Sequence, residues 1–227
     1  MVCFTFDDVP ETAATNGARM LEDVGARGTH YIATGLLGRA TEHFTILDES
    51  GVVALHRAGH EIALHSHAHL AAHSHSRTSF EEDLKKNLAA LAALDPTIAP
   101  RHFAYPYGAM SVSSKLSLGG MVASSRSVDP GLNVGRFDAQ NVRAVELCDR
   151  ILTPAELDSY LDRARQQCAW LVFVLHDVAR EPSPFGCSIG LLRRALDGVM
   201  ERGMRFATMN EAFAETRAAP SRWLFSD

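Results

Sequence analysis

The chain has 227 residues, 46% of them hydrophobic, and a formal net charge of −5. A domain holds about 100–200 residues and α/β barrels run to roughly 250, so this length allows one large domain or two small ones, each able to bury a core. With 22 Lys+Arg against 27 Asp+Glu and no basic run, the charge argues against a nucleic-acid partner, and no apolar stretch approaches the ~20 residues of a membrane span.

The first residues, Met1-Val2-Cys3-Phe4-Thr5-Phe6-Asp7-Asp8, read as a strand running straight into two carboxylates. They carry no basic segment followed by an apolar one, so no secretory signal is expected there and a cytoplasmic location is. A helix is expected over residues 13–24, weakened by Asn16-Gly17 inside it. Further strands are expected at residues 28–33, 61–64, 102–105, 121–124, 144–147, 171–175 and 205–207. Between them lie helices with explicit start signals. Ser79-Phe80-Glu81-Glu82 reads as a capping box before the stripe Phe80, Leu84, Leu88, Leu91. Thr153-Pro154-Ala155-Glu156 repeats that signature ahead of Leu157, Tyr160, Leu161 and Ala164, and Thr208-Met209-Asn210-Glu211 opens a last short helix. Gly59 and Gly203 stand where C-terminal helix caps belong. Residues 125–141 read as a long loop. In the tail, residues 217–227, Trp223, Leu224 and Phe225 are expected to pack back on the chain, with contact to a second copy as the alternative. Cys3, Cys148, Cys168 and Cys187 form no Cys-x-x-Cys pair and read as free thiols.

Regular alternation of strand and helix predicts a parallel sheet, either closed as a barrel or open and doubly wound. In such folds functional residues gather at the carboxyl ends of the strands. Asp7-Asp8 follows the first strand, His65-Ser66-His67-Ala68-His69 the third, Pro106-Tyr107-Gly108 the fourth, and His176-Asp177 the apolar run 171–175. Of the eleven histidines, six fall between His60 and His75. Two histidines and one carboxylate make a metal site with open positions, as hydrolytic zinc uses, although the same donors suit other divalent ions. A second aspartate beside the metal is placed to take a proton from water, and a histidine opposite to protonate a leaving group. Each element has a bland reading alone: Asp-Asp as a turn, His65 and His69 as solvated loop residues, His176 as a core histidine. Their convergence at strand ends favours metal-assisted hydrolysis of an acyl bond.

Thr5-Phe6-Asp7-Asp8, His65-Ser66-x-x-His69, Phe103-Ala104-Tyr105-Pro106-Tyr107-Gly108 and Leu175-His176 resemble the ordered motifs of the polysaccharide deacetylase family, the NodB-homology domain of carbohydrate esterase family four. The resemblance implies a distorted (β/α) barrel, as one domain over residues 1–216, that removes acetyl groups from N- or O-acetylated sugars. It implies Asp7 as general base and Asp8, His65 and His69 as ligands of one divalent metal, zinc foremost, with cobalt, nickel, manganese or iron as alternatives. Ser66 would brace the metal loop, the Tyr107 backbone N–H would hold the oxyanion, and His176 would be the general acid. His67, His73 and His75 match no family ligand and read as loop residues near the metal.

The family often has Arg after the Phe of its third motif, orienting the base; Ala104 stands here. Arg143 is the expected substitute, with Arg101 and Arg126 as rivals. The family's Asp-x-x-Asp-Trp motif, which tunes the catalytic histidine, has no good match, and Asp129 is only a candidate. Two alternatives follow: the same mechanism on a non-sugar amide, an imide or a formylated amino-sugar conjugate, or a carbohydrate-binding relative without turnover. Gly186-Cys187-Ser188-Ile189-Gly190 fits the Gly-x-Ser-x-Gly elbow, but no strand leads directly into it and no histidine follows His176. Ser188 is better read as a helix N-cap, which removes the serine hydrolase.

Overall fold

The computed structural model describes residues 1–218. Seven parallel strands form one sheet in the order β5-β4-β3-β2-β1-β7-β6: β1 Val2–Asp7, β2 Thr29–Ile32, β3 Glu61–Leu64, β4 His102–Ala104, β5 Ser124–Arg126, β6 Val145–Glu146 and β7 Leu171–Leu175. The sheet curls until its edges meet. Val142, just before β6, makes a parallel bridge to Arg126 of β5, with Val142 N–H donating to the Ser125 carbonyl at 2.9 Å and Ser127 N–H donating to Val142 at 3.0 Å. β6 then pairs with β7 through Val145–Phe173. The result is the distorted (β/α) barrel that the motifs imply. The expected strand at residues 205–207 shrinks to one parallel bridge, Val2 to Phe206.

Strand alternation separates two cores. Val2, Phe4 and Phe6 of β1 and Leu171, Phe173 and Leu175 of β7 face outward against the helices. Cys3 of β1, Tyr31, Ala63, Ala104, Val172 and Val174 pack together on the other face, inside the barrel. The same period of two sends Thr5 and Asp7 inward, which is how the first strand delivers a carboxylate to the barrel mouth.

The helices are α1 Arg19–Asp23, α2 Glu49–Arg57, α3 Arg77–Leu94, α4 Val112–Leu118, α5 Pro154–Gln166, α6 Ile189–Glu201 and α7 Met209–Ala218. Before α1, residues Ala13–Ala18 wind as a π-helical turn rather than the single α-helix expected. Gly17 lets this segment lie directly on β1, where a Cβ would stand 2.7 Å from the Phe6 ring, and Asn16 Nδ2 donates to the Val178 carbonyl at 2.7 Å. The capping box of α5 forms as expected, with Glu156 Oε2 accepting Thr153 N–H at 2.9 Å. Thr208 and Glu211 cap α7 reciprocally, and Ser188 Oγ accepts Leu191 N–H at the start of α6. Gly59 and Gly203 take the left-handed φ, 89° and 59°, that such caps require.

Three boundaries differ from the sequence reading. Helix α3 starts three residues early, because Ser76 rather than Ser79 is its N-cap and accepts Ser79 N–H at 3.2 Å. The strand expected at 121–124 is displaced to Ser124–Arg126, so that Ser125 and Arg126 fall in the stretch read as loop. Helix α7 runs through Arg217 and Ala218; Trp223, Leu224 and Phe225 lie outside the described residues. All four cysteines are unpaired, Cys3, Cys148 and Cys187 buried and Cys168 exposed. Among the described residues no helix is long and apolar enough to cross a membrane.

Candidate active site

The loops after the strands converge around a cavity of about 770 Å³ at the carboxyl end of the barrel, lined among others by Asp7, Asp8, His65, His69, Tyr107 and His176. These are the six site residues expected from the strand ends.

Asp8, His65 and His69 present one donor atom each within 4.8 Å of one another. Asp8 Oδ1 stands 3.2 Å from His69 Nε2 and 3.8 Å from His65 Nε2, yet it is buried and accepts no hydrogen bond. A buried carboxylate oxygen without a donor is costly; a cation held by the three donors would remove that cost. His65 Nδ1–H donates to the Ala104 carbonyl at 2.9 Å, which fixes the tautomer and leaves Nε2 as a lone pair facing Asp8. Burial pushes His65 down to about 3 and lowers His69, so both imidazoles are neutral at physiological pH and able to act as donors to a cation. Burial, reinforced by the neighbouring Asp7 and opposed by His176, raises Asp8 to about 6. The donor set fits a divalent cation such as zinc, with positions left open for water or substrate.

Strained backbone marks the same loops. Asp8, Val9, Ser66, His69 and Tyr107 all have left-handed φ between 49° and 60°. For non-glycine residues this costs on the order of 1–3 kcal/mol each, and such strain concentrates where a site is held in a working geometry. The His65–His69 loop is braced from within and from behind. Ser66 Oγ accepts Leu70 N–H at 2.9 Å. Asp83 of α3 accepts His67 N–H at 2.6 Å and Ala68 N–H at 3.1 Å. Asn87, one turn on, accepts His65 N–H at 3.3 Å and donates to the Ile32 carbonyl and Thr34 Oγ1. Neither residue was foreseen from the sequence. The signal was there, since Asp83 and Asn87 are polar residues on the same helical face as buried Phe80, Leu84 and Leu91.

Asp7 is buried and bonded to the guanidinium of Arg126, itself without solvent exposure. Burial alone would raise the Asp7 carboxyl, but Arg126, with smaller help from His65 and His176, holds it below its ordinary value. Arg143, the expected partner, is not brought to the site. Its side chain is exposed and lies against Gly131, while its backbone pairs with Asn133. Arg101 is exposed just ahead of β4, at the opposite end of the barrel. The pairing of β4 with β5 explains the exchange. Ala104 is in register with Arg126, paired residues project to the same face, and the short Ala104 side chain leaves interior space for the neighbouring arginine. Arg126 also stacks over Tyr31 at 5.0 Å.

His176 follows β7 and lines the same cavity, its ring 6.3 Å from that of Phe185. Among the described residues no carboxylate is within ion-pair distance of it. Asp129 is exposed and accepts from Asn141 Nδ2 at 3.3 Å, outside the cavity wall; besides Asp7 and Asp8, the carboxylates that line the cavity are Glu42 and Glu146, the latter at the end of β6. Tyr107 is 73% exposed and its ring lies 4.5 Å from His69. His67 bonds Thr34 Oγ1 at 2.8 Å, while His73 and His75 are exposed.

A family model described as polysaccharide deacetylase matches residues 1–119. No curated protein matches the chain significantly. Among solved structures, a family 4 acetyl xylan esterase from Clostridium thermocellum in complex with a cobalt ion is 19% identical, with a TM-score of 0.66 over 95% of this chain and 91% of that one. The Xyl-CE4 domain of a multidomain xylanase from the hindgut metagenome of Trinervitermes trinervoides is 17% identical, with a TM-score of 0.63 over 95% and 90%. A family 4 carbohydrate esterase from Streptomyces lividans in complex with acetate is 17% identical, with a TM-score of 0.62 over 91% of each chain. With the family model covering more than half the sequence and the barrel matched nearly end to end, the chain belongs to the polysaccharide deacetylase family.

Proposed function

We propose that this protein is a metal-dependent deacetylase that removes an acetyl group from an N-acetylated, or O-acetylated, sugar or oligosaccharide. The observation that carries this reading is the Asp8–His65–His69 cluster with its undonated Asp8 oxygen, set beside an Asp7 carboxylate held ionised by Arg126. A divalent cation, zinc by the chemistry of the donors, supplies Lewis acidity toward water and the acyl oxygen when bound. The other roles fall to the chain. Asp7 accepts a proton from the attacking water, and Arg126 keeps its carboxylate ionised and aimed. The backbone N–H of Tyr107, turned by its left-handed φ, donates to the oxygen on which negative charge develops. His176, in the wall of the same cavity, hands a proton to the departing amine or alkoxide.

The test is Asp7→Asn. This variant retains the three ligands, so it binds one metal ion per chain as the parent does, while acetate release from N-acetylated oligosaccharide falls by about 10²–10⁴-fold. Unchanged turnover removes Asp7 as the base.

A further inference from the structure

The cavity above the cluster has a second character that the acyl chemistry does not use. Leu36, Phe44, Ile46, Val128, Ile151 and Phe185 form an apolar wall, contributed by loops after β2, β5, β6 and β7. Ile151 is 57% and Phe185 53% exposed. Single exposed apolar side chains need no explanation, but their convergence on one cleft marks a surface that something covers. Sugar hydroxyls buried without partners are penalised, and the four aliphatic members of this wall offer none. At about 770 Å³ the cavity lies in the range of sites that enclose a whole drug-sized ligand rather than an acetyl group alone.

The wall also has a direction. Phe185 lies 6.3 Å from the ring of His176 and 5.6 Å from that of His43. His176 faces the leaving group, so the part of the substrate left after acetate departs is the part that meets Phe185. We propose that the substrate carries an alkyl or aryl group on its sugar, and that this group lies against the wall while the acetyl group sits at the metal cluster. The inference rests on the deacetylase reading above and narrows its substrate from free oligosaccharides to sugars with an apolar aglycone.

The metal-loaded protein is assayed for acetate release from N-acetylglucosamine, its β-1,4 dimer, and its octyl and phenyl β-glycosides. The octyl and phenyl compounds are expected to exceed the free sugar in kcat/KM by about tenfold or more. Ile151→Ser and Phe44→Ser bring that ratio toward one. A ratio near one in the parent, or preference for the dimer, overturns the proposal while leaving the deacetylase reading intact. Calorimetry with octyl β-glucoside, which has no acetyl group, at concentrations below its micelle threshold tests the wall apart from turnover. Binding with a negative heat-capacity change, weakened in Ile151→Ser, supports it; no binding overturns it. If none of the sugars yields acetate, the catalytic reading fails, and the octyl glucoside result alone decides whether the wall receives an apolar group.

Discussion

Replacing Arg126 with Met removes the only cation bonded to Asp7 among the described residues and leaves a buried carboxylate uncompensated. Breaking one side of a buried ion pair costs about 3–5 kcal/mol, which for a chain of this size lowers Tm by on the order of 10 °C. Burial, the largest influence on Asp7, then acts unopposed and raises the carboxyl, so the acid limb of the rate profile moves toward neutral pH. Because the base is also less well aimed, kcat falls by about a hundredfold. The double variant Asp7→Asn, Arg126→Met no longer leaves a buried carboxylate at residue 7 without its cation and should be more stable than Arg126→Met alone. Arg143→Ala is the contrasting case: an exposed side chain whose loss changes stability by about 0.5 kcal/mol or less and leaves the rate profile in place. Thermal melts and pH–rate profiles on the four proteins separate these outcomes. Parental stability and rate in Arg126→Met, or equal damage from Arg143→Ala, would refute the pairing argued from the β4–β5 register.

Further predictions concern the supports of the site and the barrel. Asp83→Ala strips the acceptor from the His67 and Ala68 N–H groups and should weaken zinc affinity by roughly ten- to a hundredfold, read by competition with a chromogenic chelator. His102, buried inside the barrel, is pushed by burial down to about 4. Its folded value lies below its unfolded one, so the stability it contributes is present above about 6.5 and is lost as pH falls toward 4. Between pH 7.5 and 5 this amounts to about 2 kcal/mol, and urea titrations of His102→Asn at the two pH values should show a correspondingly smaller loss than the parent. Gly17→Ala drives a methyl group into the Phe6 ring and should destabilise by about 1–3 kcal/mol, measured in the same titrations.

The fold was legible wherever local chemistry and tertiary context agree. Strands β1, β2, β3, β4, β6 and β7, the Thr153 and Thr208 caps and the Gly59 and Gly203 stops all stand where their residues place them. Strand β5 was not legible, because Ser124, Ser125 and Arg126 have the composition of a loop. They are buried through partners distant in sequence: Ser124 with His102, Ser125 with Gln140, Arg126 with Asp7. The same blindness put Arg143, rather than Arg126, beside Asp7. The position of Arg126 depends on register across two strands, which no spacing along the chain encodes. Asp8, His65 and His69 lie close in sequence or at a strand end, so their meeting was readable, whereas the α3 residues behind them were hidden by a helix read only for its apolar stripe. Eleven histidines looked like a single feature and are several: His65 and His69 at the cluster, His176 in the wall of the same cavity, and His30, His60 and His102 buried around the barrel.

The central claim is that Asp8, His65 and His69 hold one metal on which deacetylation depends. Its most direct test is to strip the protein with chelator, add back zinc in measured steps, and follow acetate release from the N-acetylated substrates alongside bound metal. Activity should rise in proportion to bound zinc and saturate at one ion per chain, and His69→Ala should lose both together. Acetate release that persists at full rate in the stripped protein, or zinc bound at one per chain in His69→Ala, would contradict it.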